Sequence, residues 1–148
     1  VDVEDLKRQR IKDEISGLWG KVNAPITIAA SYFFDSYKTE KGEVINSSTG
    51  ESIDTYAERL NRIVKILKAR TGKEKVILVS HSMGGLVVRD YLDIYGGSDV
   101  DKAILITSPN HGVDDKVSNY CSVFGAEKPC KEMDKDGLFI KRLNLNSK

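Results

Sequence analysis

Cysteine, histidine and proline are scarce in this sequence: two, two and three residues among 148. Two cysteines close at most one bridge, which excludes a disulfide-built scaffold. Cys121 and Cys130 have only His111 nearby, so zinc-ligand spacing is absent and neither metal nor other cofactor is expected. Charge of one sign is lacking too: Lys plus Arg is 23 and Asp plus Glu is 22, a net charge of +1. That balance argues against a nucleic-acid binder held by a basic surface and against an acidic solvating tail. Long apolar runs are missing. The strongest is Val76-Ile77-Leu78-Val79, far below the roughly 18 residues that cross a bilayer. The chain opens on Val1 rather than Met, with no charged-then-apolar leader pattern, and its start is expected not to be a native one.

What is present is an apolar share of 40%, enough for one globular domain in a chain too short for two. Residues 3–22 place Leu6, Ile11, Ile15, Leu18, Trp19 and Val22 mostly three or four apart, which predicts a helix stopped by Pro25. Ile26 to Phe34 is rich in β-branched and aromatic residues and reads as a strand. Residues 35–52 are polar, with Gly42 and Gly50, and read as a long loop. Ser52 to Thr71 carries the cleanest amphipathic stripe: Ile53, Tyr56, Ala57, Leu60, Ile63, Val64 and Leu67. Ser52 suits its N-cap, Asp54 its first turn and Gly72 its end.

Lys75 to Ser80 and Lys102 to Thr107 read as strands buried in a parallel sheet, with a helix from Met83 to Tyr95 between them. From Asn110 to Met133 the chain reads as a loop, and Leu138 to Leu145 as a short helix. Helices alternating with strands predict an α/β fold, a parallel sheet of about three strands flanked by helices.

The chemistry lies between the second strand and its helix, at Ser80-His81-Ser82-Met83-Gly84-Gly85. A sharp strand-to-helix turn there lifts the Ser82 hydroxyl above the carboxyl edge of the sheet. Ser80 and Gly84 are the small residues such a turn needs on either side. The helix N-terminus leaves the Met83 N–H free to stabilise an oxyanion.

Ser80-His81-Ser82-Met83-Gly84-Gly85-Leu86-Val87-Val88-Arg89 resembles the nucleophile elbow of α/β-hydrolases. It is most similar to bacterial and archaeal triacylglycerol lipases and to GPI-inositol-deacylase-like proteins. Their G-x-S-x-G pattern is altered only by Ser80 in place of the first glycine. Thr107-Ser108-Pro109-Asn110-His111-Gly112 resembles a lipase turn at the expected distance downstream. The segments Cys130-Lys131-Glu132-Met133 and Leu138 to Asn144 resemble the stretch beyond that turn in the same lipases. The resemblance implies a serine hydrolase acting on carboxylic esters, lipids among them, through an acyl-enzyme on Ser82. An acyltransferase, a glycolipid deacylase or a non-catalytic lipid- or partner-binding domain on the same fold is the alternative. The implied partner is a lipid or ester, without nucleic acid and without a transmembrane segment.

A serine hydroxyl needs a base, and in this superfamily an acid and then a histidine follow the serine in order. His81 belongs to the elbow and reads as a packed or pocket-lining residue. His111 follows Asp99 and Asp101, but those lie at the far end of the third strand, roughly 20 Å away at 3.3 Å per residue. By the same resemblance His111 sits in the turn beside the active site and lines the pocket, while Tyr32 and Phe33, in the Tyr32-Phe33-Phe34 cluster that ends a strand at the carboxyl edge, read as core packing or as acyl-chain contacts lining that pocket. The resemblance places the acid, the base and the second oxyanion donor outside residues 1–148. On this reading the chain is a partial hydrolase domain, with an elbow at 80–85 and a cap or loop region at 110–137, and is inactive alone. For Cys121 and Cys130, a stapling disulfide and two free thiols both fit; a disulfide favours an extracytoplasmic site. Arg89 and Asp90 read as a structural charge pair or a solvated face.

Overall fold

A computed structural model of the chain describes residues 27–32, 36–38, 44–46, 50–114 and 127–145. The expected helix at 3–22, Phe33 and Cys121 lie outside them. The chain divides into two compact units, Val1–Ser31 and Tyr32–Lys148. In the first unit, the described residues 27–31 form neither helix nor strand, and Thr27, Ala29, Ala30 and Ser31 are exposed. Residues 27–32, the described part of the strand expected from Ile26 to Phe34, are thus not strand. Composition makes a segment fit to be a strand, but only a hydrogen-bonded neighbour makes it one.

The second unit opens with a hairpin inside the expected loop. β1 (Ser36–Lys38) pairs antiparallel with β2 (Val44–Asn46), Tyr37 opposite Ile45. Helix α1 (Ile53–Thr71) follows, then β3 (Val76–His81), α2 (Met83–Tyr95) and β4 (Val100–Ile106). α3 (Glu127–Glu132) and α4 (Leu138–Leu145) close the described chain. α3 falls where the sequence predicts a loop, while α4 has the expected bounds.

β3 and β4 pair in parallel from Ile77 beside Lys102 to His81 beside Ile106, and α2 is the crossover between them. This is the α/β arrangement that the alternation predicts, with two described parallel strands rather than three. Pro and Gly are absent from both strands, so the ladder runs unbroken through Val79 and Ile104.

α1 begins and ends on its own sequence signals. Ser52 is extended (φ −67°, ψ 157°) and its side chain accepts the Thr55 N–H. Gly72 is left-handed (φ 67°) and donates its N–H to the Lys68 carbonyl. The stripe then buries Ile53, Tyr56, Ala57, Leu60 and Val64, while Ile63 and Leu67 are half-buried at its margin. α2 contributes Leu86, Val87, Val88 and Tyr91, and α4 contributes Ile140 and Leu143. Each large side chain buried in this way is worth about 1.5–3 kcal/mol. α2 therefore packs on α1 on one side and on both strands on the other.

The parallel strands are not buried on both faces among the described residues. Val76, Leu78 and Leu105 pack toward the helices, but Ile77, Val79, Ile104 and Ile106 are 53%, 63%, 47% and 46% exposed. Continuous apolar composition predicts two covered faces; the described elements cover one.

At the amino edge of the sheet, Lys68 is paired with Asp99. Asp99 and Asp101 thus stand at the end opposite Ser82, as their place in the sequence predicts. Cys130 is buried and disulfide-bonded. Among the described residues, no helix is long and apolar enough to cross a membrane and no group of side chains suits a metal ion.

Candidate active site

Ser82 stands between β3 and α2 with φ 54° and ψ −129°. It and Thr107 are the two non-glycine residues with positive φ among those described. Such a conformation costs an L-residue roughly 1–3 kcal/mol. The turn is held by two backbone hydrogen bonds: the Ser82 N–H donates to the Ile106 carbonyl at 2.9 Å, and the Gly85 N–H to the Ser82 carbonyl at 3.0 Å. Ser82 occupies the N-cap of α2, yet its side chain makes no capping hydrogen bond. Ser82 and His81 are exposed, and Met83 is half-buried in the first turn. A nucleophile raised above the sheet needs this geometry.

The small residues around the turn are needed, but not for the reason that the motif suggests. A Cβ on Gly84 would lie 3.5 Å from Ser80 Cβ, an ordinary contact, and 3.1 Å from Tyr32 Oη. Tyr32 is the tighter neighbour. Gly85 is far more constrained: an added Cβ would lie 2.5 Å from Ser108 Cβ and would overlap the Ser108 hydroxyl. Sequence reasoning passed over both contacts, because each comes from a segment distant along the chain.

Tyr32 is anchored against the elbow. Its ring packs on Tyr56 with centroids 5.4 Å apart, and its carbonyl accepts from Arg59 Nη1 at 3.2 Å. Burial, with the nearby Tyr56 adding, pushes its hydroxyl up to about 12, so it stays protonated.

The turn after β4 abuts the elbow helix through Ser108, beside Gly85. Asn110 N–H donates to the Ser108 carbonyl and Gly112 N–H to that of Pro109, leaving His111 exposed at its crest. Gly112 is left-handed (φ 82°), and a Cβ there would lie 2.6 Å from Lys135 N. Val113 N–H donates to Met133 O, and Lys135 N–H returns to Val113 O. Arg89 fastens this turn to the elbow helix: its Nη1 donates to the Asn110 carbonyl at 2.9 Å. Its Nη2 donates to the Leu143 carbonyl at 3.0 Å and to Asn144 Oδ1 at 2.8 Å. Arg89 is therefore a backbone clamp and not the partner of Asp90.

Asp90 is fully buried and pairs with Arg142, which also donates to Asp54 at 2.9 Å. Burial pushes the Asp90 carboxyl up to about 7; Asp54 and Asp93 add to the rise and Arg142 opposes it. A cavity of about 460 Å³ lies against this cluster, lined by Asp54, Lys131, Glu132, Leu138, Phe139 and Arg142 among others. It includes neither Ser82 nor any residue of the elbow.

A serine on a strained turn at the carboxyl edge of a parallel α/β sheet defines a class, the hydrolase-type α/β domain. The family model described as the alpha/beta hydrolase fold matches residues 38–126, and the chain belongs to that family. No curated protein matches the sequence. Among solved structures it is similar to phospholipase PlaB from Legionella pneumophila, with a TM-score of 0.60 at 16% identity. The match covers 95% of this chain and 31% of that one, so this sequence spans less than a third of its neighbour's length. At that identity the likeness carries the fold alone.

Proposed function

We propose that the protein is a serine hydrolase of carboxylic esters, with Ser82 as nucleophile and lipids as the substrate class. The observation that carries the reading is Ser82 itself: exposed, left-handed, and at a helix N-cap that its hydroxyl does not cap. A residue placed only to start a helix would be extended and would cap it. The lipid half of the reading rests on the lipase-like motifs at Ser80–Arg89 and Thr107–Gly112, and a phospholipase among the fold neighbours agrees with it.

In this reading Ser82 Oγ attacks the ester carbonyl and gives its proton to a base. The carbonyl oxygen becomes an oxyanion beside the Met83 N–H. Collapse expels the alcohol, which takes the proton from the base, and leaves an acyl group on Ser82. Water then attacks the acyl carbonyl and gives its proton to the same base; collapse breaks the bond to Ser82 Oγ, which takes that proton back, and the acid is released. Neither His81 nor His111 is assigned as the base; base and acid are left to chain outside these 148 residues. His81, His111 and Tyr32 line the site, and Phe33, outside the described residues, is proposed with them.

A fluorophosphonate probe is expected to label Ser82 in the full-length protein that carries this sequence. Labelling that persists in Ser82→Ala would sink the assignment. The 148 residues alone are expected to turn over a p-nitrophenyl ester little or not at all. Efficient turnover lost in Ser82→Ala would instead make His111 the base.

A further inference from the structure

Among the described residues the chain meets its need for left-handed backbone with glycine at Gly50, Gly72, Gly96 and Gly112. Two described positions break that rule, Ser82 at φ 54° and Thr107 at φ 47°. Thr107 is the more costly, because its branched Cβ crowds the backbone and a positive φ is a true outlier for such a residue. The two are neighbours. His81 pairs with Ile106 at the end of the parallel ladder, so Ser82 and Thr107 are the next residues on adjacent strands. The carbonyl that receives the Ser82 N–H belongs to the peptide group joining Ile106 to Thr107. Both residues are exposed at this edge.

Glycine would serve the backbone at 107 without strain. Strain at an exposed position is not repaid by core packing, and for Ser82 the use of its side chain repays it. We infer that Thr107 is a substrate-contacting residue of the Ser82 site, its hydroxyl hydrogen-bonding the polar ester group held over the nucleophile. The inference rests on Ser82 being the nucleophile. It concerns recognition, not proton transfer, because a threonine hydroxyl does not titrate in the working range.

The test uses the full-length protein, with fluorophosphonate labelling, hydrolysis of a p-nitrophenyl ester and thermal denaturation. Thr107→Gly relieves the strain and removes the side chain. Thr107→Val keeps the shape and loses the hydroxyl, and Thr107→Ser keeps the hydroxyl. Thr107→Gly and Thr107→Val are expected to lower kcat/KM about tenfold, mainly through KM, as loss of one substrate hydrogen bond does. Thr107→Ser is expected to stay within about threefold of the wild type. Thr107→Gly should melt at or above the wild-type temperature. Wild-type kcat/KM in Thr107→Gly, or a loss that only accompanies a fall in melting temperature, would overturn the inference while leaving Ser82 in place. Failure of the probe to label Ser82 in the wild type would overturn the nucleophile reading, and this inference with it.

Discussion

Two long helices among the described residues begin on serine, and the two serines behave in opposite ways. Ser52 is extended and turns its hydroxyl back to the Thr55 N–H, satisfying a donor that the first turn of α1 would otherwise leave open. Ser82 is forced to φ 54° and leaves the first turn of α2 uncapped. One serine lowers the energy of its helix. The other raises it and keeps its hydroxyl and the neighbouring N–H groups available. The same residue type at the same helical position therefore says nothing by itself; the backbone around it decides whether its hydroxyl caps the helix or leaves it uncapped.

The contrast is broken most severely at Ser82. Ser82→Ala is expected to abolish fluorophosphonate labelling completely while leaving the melting temperature within about 2 °C of the wild type, since no capping bond is lost. A large fall in melting temperature would show that Ser82 supports the fold, and the comparison would collapse.

Gly85→Ala comes next. Its methyl would overlap the Ser108 hydroxyl and sit 2.5 Å from Ser108 Cβ, between two elements that cannot part without opening the β4 end of the sheet. A loss of about 3 kcal/mol is expected, the upper end for overpacking. Ser108→Gly in the same chain should recover most of it, and urea denaturation of the two single variants and the double closes the cycle. Gly84→Ala should cost less, because its tightest neighbour is the far end of the Tyr32 side chain at 3.1 Å. Equal costs at 84 and 85 would refute this ranking.

That ranking marks the limit of what was legible in the sequence. The elbow, its helix and the caps of α1 could be read because each depends on residues close together in the chain. Ser52, Gly72 and the stripe from Ile53 to Val64 needed only the helical period. The α/β class followed from the order of elements. The neighbours that make Gly84 and Gly85 necessary, Tyr32 and Ser108, arrive through tertiary contact and leave no local pattern. Arg89 was misread for the same reason: its acceptors are the Asn110 and Leu143 carbonyls and the Asn144 side chain. Residues 27–32, the described part of the strand expected at Ile26–Phe34, are not strand for a different reason, since strand composition does not supply a partner.

A different kind of effect separates the two helices by pH. Asp90 lies in α2, and its folded pKa of about 7 stands above the ordinary value of 3.8. Between those values the folded chain holds a proton that the unfolded chain releases. The stability this contributes is complete below about pH 4 and is lost as the pH rises through 7. Unfolding free energies measured from pH 4 to 8 should therefore fall in the wild type relative to Asp90→Asn. A wild-type-minus-variant difference that stays flat, or rises, would show that the Arg142 pair outweighs burial.

The smallest expected effect is at Ser52, and it is the control on which the comparison depends. Ser52→Ala removes the acceptor of the Thr55 N–H and should cost about 1 kcal/mol. The loss should be modest, because Asp54 remains in the first turn to favour the helix dipole and Glu132 Oε2 still accepts the Ile53 N–H at 2.6 Å. Labelling of Ser82 should be unchanged, since α1 reaches the elbow through its packing on α2 and through the contacts of Tyr56 and Arg59 with Tyr32, none of which uses the Ser52 side chain. Denaturation and labelling of the same preparation read both quantities at once. A drop in labelling as large as the loss of stability would mean that the capped and uncapped helices are not independent, and that the freedom of Ser82 is borrowed from the order of Ser52.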